Sequence, residues 1–144
     1  MKRILYSLLA LLLAVSAAHA VSPGELLEPE KAFQMSARPL DGRSIEVRFA
    51  IADGYYMYRD KFRFAADPAG GAKLGLPEFP AGQRKKDEFF GDVETYRKQV
   101  AIRVPVEQAG ERLDLTVTSQ GCADVGVCYV PMDTKVSLRL AAFT

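Results

Sequence analysis

"LDLTVTSQGCADVGVC", residues 113–128, joins two signals that decide the fold. Leu113, Leu115 and Val117 alternate with Asp114, Thr116 and Thr118, and a period of two makes a half-buried β-strand with one wet face. Behind that strand come Cys122 and Cys128, the only two cysteines of the chain. If Cys122 pairs across from Cys128, then Ala123 faces Val127 and Asp124-Val125-Gly126 is a three-residue hairpin loop. Such loops favour a type I turn closed by a residue of positive φ, usually glycine, and Gly126 stands at that position. Opposed residues of an antiparallel ladder have Cα atoms roughly 4.5–5.5 Å apart, within the roughly 4.4–6.8 Å that a disulfide tolerates. Spacing and glycine together support a cross-strand disulfide.

The same period recurs on both sides of this stretch. "SIEVRFAIA" (44–52) alternates Ile45, Val47, Phe49 and Ile51 with Glu46 and Arg48. "VAIRVPV" (100–106) and "KVSLRL" (135–140) repeat the pattern, and Pro105 marks an edge or a bulge in its strand. "YMYRDKFRF" (56–64) reads as one further strand carrying Tyr56, Tyr58, Phe62 and Phe64. Turn signals at Asp41-Gly42, Asp53-Gly54, "DPAGGA" (67–72) and Ala109-Gly110 separate the strands. No window long enough for a core helix shows a period of 3.6. Many short antiparallel strands predict an all-β, immunoglobulin-like sandwich, with a small barrel as the alternative. The chain has no Trp, and its cysteines lie too close in sequence to join two sheets as in antibody domains. Residues 76–96 read as a loop until their end, with Phe89 and Phe90 in its middle.

Residues 1–20, "MKRILYSLLALLLAVSAAHA", read as a secretory signal peptide: Lys2 and Arg3, an apolar run, and Ala18-His19-Ala20 as the cleavage site. Cleavage takes 20 of the 144 residues and leaves a domain over 21–144, exported and soluble, with residues 21–30 as a loosely ordered lead-in. Lys2 and Arg3 leave with the leader, so of 19 basic residues 17 remain against 18 acidic ones. A near-neutral surface gives no electrostatic footprint for nucleic acid. His19, the only histidine, leaves as well. The mature chain therefore has no imidazole base, and its two cysteines cannot supply a four-ligand zinc site. No metal or organic cofactor is expected.

A domain of this size buries a core without help from disulfides. Closing a loop of about seven residues stabilises by about 2.4 kcal/mol in the chain-entropy model, and a tight turn already holds those residues together. The bond is poorly placed as a staple and well placed, near a loop tip, for a partner thiol to reach. No Lys, Arg or His lies within the hairpin to lower a thiol pKa, and Asp124 would raise it. These residues leave two functions open: a reversible redox pair, or a binding and scaffold module with a purely structural disulfide.

At "QGCADVGVCYVP" (120–131) the chain resembles the N-terminal periplasmic domain of the thiol–disulfide interchange protein DsbD. "ADGYYMYRDKFRF" (52–64) and "DEFFGDVETYRKQVAIRVPV" (87–106) extend the likeness in the same order, and it spans roughly residues 24–142. The resemblance implies an immunoglobulin-like sandwich in the periplasm, monomeric, acting as a thiol–disulfide oxidoreductase of the reductase type. Cys122 and Cys128 would be the redox pair, with Cys128 forming mixed disulfides and Cys122 resolving them. Asp87-Glu88-Phe89-Phe90-Gly91 matches the family's cap loop, with Phe89 as the shielding ring, and Tyr56 and Tyr58 match tyrosines beside the site. The implied acceptors are thioredoxin-like proteins: a DsbC-like disulfide isomerase and a thioredoxin of cytochrome c maturation. The implied electron donors are the membrane domain and C-terminal thioredoxin-like domain of DsbD, on a longer chain or as separate proteins.

Overall fold

The computed structural model describes residues 25–140, so the expected signal peptide lies outside the described residues. A one-turn helix, α1 (Pro29–Ala32), leads into β1 (Phe33–Asp41), β2 (Ser44–Ile51), β3 (Tyr55–Tyr58) and β4 (Arg63–Ala66). There follow β5 (Lys73–Leu74), β6 (Gln83–Asp87), β7 (Gly91–Tyr96), β8 (Gln99–Gln108) and β9 (Arg112–Ser119). The series closes with β10 (Gly121–Ala123), β11 (Val127–Cys128) and β12 (Met132–Arg139). Every pairing between them is antiparallel.

One layer is the sheet β1-β2-β8-β5. The other is β12-β9-β4, prolonged by β11-β10-β3-β7-β6. The prolongation has a simple origin. β9 runs through Gln120 into β10, and β4 is preceded by β3, so the same two chain segments pair on both sides of one bend. The Tyr58 N–H donates to Gln120 O across that bend at 3.1 Å. Between the layers lie Ile45, Val47 and Phe49 of β2, Val100, Ile102 and Val104 of β8, and Leu113, Leu115 and Val117 of β9, all at most 2% exposed. These are the alternating apolar residues of the sequence, and burying them is what closes the sandwich.

Three expectations need correction, and one strand was not anticipated. Residues 56–64 are two strands separated by a single 3-10 turn at Arg59–Lys61; three consecutive charged residues cannot alternate against a core, and the turn returns Phe62 to the interior at 4% exposure. The expected loop over 76–96 contains the hairpin β6–β7. β1 alternates Phe33, Met35 and Ala37 with Gln34, Ser36 and Arg38, a strand the sequence reading passed over, and as an edge strand it tolerates Pro39. The lead-in is docked from Leu26 onward: Leu26 and Leu27 pack on the core, the Leu27 N–H donates to Tyr55 Oη at 2.9 Å, and the Tyr129 hydroxyl donates to Leu27 O. Pro105 does sit beside an irregularity. The register of β5 on β8 shifts at Lys73/Leu74, and Pro105 O accepts from Gly75 N on that side.

Candidate functional site

Strand β3 is buried on both faces, and its alternation divides it between two environments. Tyr55 and Met57 enter the main core, whereas Tyr56 and Tyr58 point to the other side and pack with Cys122, Cys128 and Val93. Register assigns the rest. Cys122 lies opposite Cys128 and Tyr56, Tyr58 opposite Thr95, Val93 opposite Lys85, and Gly91 opposite Asp87. Partners share a face in a ladder, so Cys128, Cys122, Tyr56, Tyr58, Lys85, Asp87 and Arg97 all lie on the outer face of this sheet.

The cysteine hairpin has the expected register, Cys122↔Cys128 and Ala123↔Val127, with Gly126 at φ 97°. The Gly126 N–H donates to Ala123 O and the Tyr129 N–H to Gly121 O. The cysteines therefore occupy the non-hydrogen-bonded position between these bonds, where side chains approach most closely. Their Cα atoms are 4.0 Å apart and the sulfurs are bonded. Cys122 is fully buried and Cys128 half-buried, so a partner arriving from solvent meets Cys128 first. Gly121 is required by close approach: a Cβ there would lie 2.4 Å from the Phe33 ring and 2.6 Å from Tyr56 O.

Asp87 is the polar centre of the site, and its side chain is fully buried. One carboxylate oxygen accepts from the Tyr58 hydroxyl at 3.0 Å and from the Phe89 and Phe90 amides at 2.9 and 3.0 Å. The other accepts from the Tyr56 hydroxyl at 3.1 Å, with Lys85 Nζ at 3.9 Å. Burial pushes this carboxyl upward, but the two amides and two phenols together hold it below the usual range. Tyr58 Oη also lies 3.1 Å from Cys122 Sγ and 3.6 Å from Cys128 Sγ. Burial, then its neighbours Tyr56 and Asp87, push this phenol far above its ordinary value, so it stays protonated. A thiol at Cys122 could donate to the Tyr58 oxygen while the phenol donates to Asp87. The arrangement thus ends the Cys122 sulfur in a buried hydrogen-bond chain that runs through Tyr58 to the ionised Asp87 carboxylate.

The segment Asp87–Gly91 is the tip of the β6–β7 hairpin. Asp87 and Gly91 pair, Gly91 has φ 74°, and Glu88, Phe89 and Phe90 form the turn. Phe90 packs edge-on against Tyr58, ring centroids 5.0 Å apart, with Lys61 Nζ 4.3 Å above it. Phe89 is about half exposed, and Glu88 is exposed with its carboxylate toward Gly126. The structure thus brings Tyr56, Tyr58, Asp87 and Phe90 together with the cysteines. It also brings residues that sequence reading missed. Lys85 Nζ lies 3.8 Å from the Tyr56 ring centroid, and Arg97 grips Asp124. Strand parity with Asp87 would have flagged Lys85, but only once β6 was recognised. Among the described residues, no group of three His, Cys, Asp or Glu side chains gathers to hold a metal ion.

Comparison with known proteins gives consistent matches. The family model described as the thiol:disulfide interchange protein DsbD, N-terminal, matches residues 24–140. The DsbD of Ralstonia nicotianae is 48% identical over 136 residues, covering 94% of this chain and 22% of that protein. The chain thus spans about a fifth of the length of the curated relatives it matches. The crystal structure of the reduced Neisseria meningitidis DsbD N-terminal domain is 44% identical, with a TM-score of 0.73 over 82% of this chain and 93% of that one. A second Neisseria meningitidis structure, of the complex between the DsbD N-terminal and PilB N-terminal domains, is 42% identical, with a TM-score of 0.67 over 78% and 87% of the two chains.

Proposed function

This chain belongs to the DsbD N-terminal family, and on that premise we propose that it is a periplasmic thiol–disulfide exchange domain, residues 21–144, that relays reducing equivalents to thioredoxin-like proteins. The observation that carries the reading is a disulfide at the open end of a tight hairpin, one sulfur buried against Tyr58 and the other half-buried. In the dithiol form Cys128 attacks the disulfide of an oxidised partner and releases one partner thiol. Cys122 then attacks Cys128 Sγ of the mixed disulfide, closing Cys122–Cys128 and releasing the partner's second thiol. Two electrons and two protons pass from this domain to the partner, the protons ending on the partner's two released thiols. The site is refilled by a DsbD-type membrane domain and C-terminal thioredoxin-like domain. Acceptors are a DsbC-like isomerase and a thioredoxin of cytochrome c maturation; a relative's pairing with the PilB N-terminal domain supports a protein partner. The domain works as a monomer, without metal or organic cofactor.

Equilibration in glutathione buffers, scored by thiol alkylation and mass shift, tests this. A midpoint between about −120 and −270 mV is expected of an exchange protein, and a pair still closed below about −300 mV would be structural. The cap has its own test. Phe89→Ala should let small oxidants reach the dithiol several-fold faster, and an unchanged rate would remove Phe89 from the gate.

A further inference from the structure

Reduction removes the only covalent tie across the cysteine hairpin, so non-covalent contacts must then keep the thiols opposed. β11 pairs with β10 over only two residues, which is too little to fix a strand. Its base is held by Tyr129, whose ring meets Phe33 and whose hydroxyl donates to Leu27 O. Its tip is held separately. Arg97, at the end of β7, donates to both carboxylate oxygens of Asp124 at 2.7 and 3.0 Å. The same guanidinium lies 5.1 Å from the Tyr56 ring centroid and 3.5 Å from Tyr55 O. The Asp124 N–H donates to Gly54 O at 2.8 Å. The turn between the cysteines is thus fastened to β3 and β7 by groups that do not touch sulfur.

We propose that the Arg97–Asp124 pair is a positioning clamp that keeps the reduced thiols within bonding distance and so sets the potential of the pair. This rests on the exchange function proposed above. A clamp that forms more readily when the hairpin is closed must, by reciprocity, favour closure of the disulfide; it raises the effective concentration of one thiol at the other. The side chains are 37% and 45% exposed, which places the ion pair in the class worth up to about 1 kcal/mol, a factor of about 5.

The test equilibrates wild type, Arg97→Gln, Asp124→Asn and the double variant with 2-mercaptoethanol and its disulfide. Closing the protein disulfide splits one reagent disulfide into two thiols, with two electrons and two protons passing to the reagent. Each variant should lower the closing constant by about fivefold, which raises the midpoint by about 20 mV for a two-electron couple. The double variant should shift no further than Arg97→Gln alone. Because the reagent is uncharged, raising the salt should move wild type toward the variants and leave Asp124→Asn in place. Unchanged midpoints, or shifts that add in the double variant, overturn the clamp. A wild-type pair that stays closed below about −300 mV overturns the exchange function instead. Far-UV circular dichroism of the disulfide forms checks folding, and the salt series on wild type decides the matter even if a variant fails to fold.

Discussion

Asp87 illustrates how much one buried carboxylate can organise. It ties the cap turn, through two amides, to both site tyrosines, and through Tyr58 to the sulfurs. Asp87→Ala leaves four donors without their acceptor and should destabilise the domain by about 3 kcal/mol, since hydrogen bonds to a charged group contribute roughly 1.5–3 kcal/mol. Asp87→Asn keeps an oxygen for Tyr58 and the amides and presents its NH₂ to the Tyr56 oxygen, so it should cost about 1 kcal/mol. Urea unfolding at pH 7 separates the two. The pH dependence has a definite sign. A carboxyl held below its unfolded value of about 3.9 contributes stability that is full above that value and lost as pH falls through the folded one. Wild type should therefore lose stability below about pH 4 more steeply than Asp87→Asn, and parallel acid limbs would place the donors' effect elsewhere.

At the scale of elements, the site is built from two hairpins with three-residue turns. A glycine of positive φ ends each turn, Gly126 as the last turn residue in one and Gly91 as the first residue after the turn in the other. The cap hairpin docks on the site through Phe90, which packs on Tyr58 of β3 in an edge-on contact worth roughly 0.5–1.5 kcal/mol. Phe90→Ala should loosen the cap and speed alkylation of the reduced cysteines about fivefold, read by quenched-flow labelling, while the unfolding midpoint moves little. The cysteine hairpin rests on Phe33 at Gly121, so Gly121→Ala drives a methyl into a ring and a carbonyl. It should cost about 3 kcal/mol, at the upper end of overpacking, and a midpoint near wild type would show that Phe33 can swing aside. Of the two hairpins only the first was legible in the sequence, because its strand alternates and its cysteines and glycine fix the turn. The cap hairpin is written in Gln, Arg, Lys and Asp, whose wet faces leave no apolar period to detect. Arg97 and Lys85 were invisible as site residues for a different reason. They reach Asp124 and Tyr56 from 27 and 29 positions away, through a register that exists only in the folded sheet.

Over the whole molecule, the redox site and the core are separate clusters. The main core runs through both layers and contains neither cysteine, whereas Cys122 shares its burial only with Tyr56 and Tyr58 and the flanking Val93 and Cys128. The sandwich thus places a chemically variable group on the outer face of a sheet whose inner face is fixed. A site built this way can gain and lose a covalent bond without changing the packing that holds the fold. That separation has a measurable consequence. A Cys122→Ser, Cys128→Ser double variant should fold and lose no more than about 2.4 kcal/mol, the chain-entropy value for a loop of about seven residues. Domains of this size typically have roughly 5–15 kcal/mol in hand, so the native state survives. Because so short a loop barely changes the unfolded chain, the urea midpoint should fall while the slope stays constant. Failure to fold, or a slope change that betrays a partly open native state, would mean that the disulfide carries the core. The outer-face site would then be a staple after all.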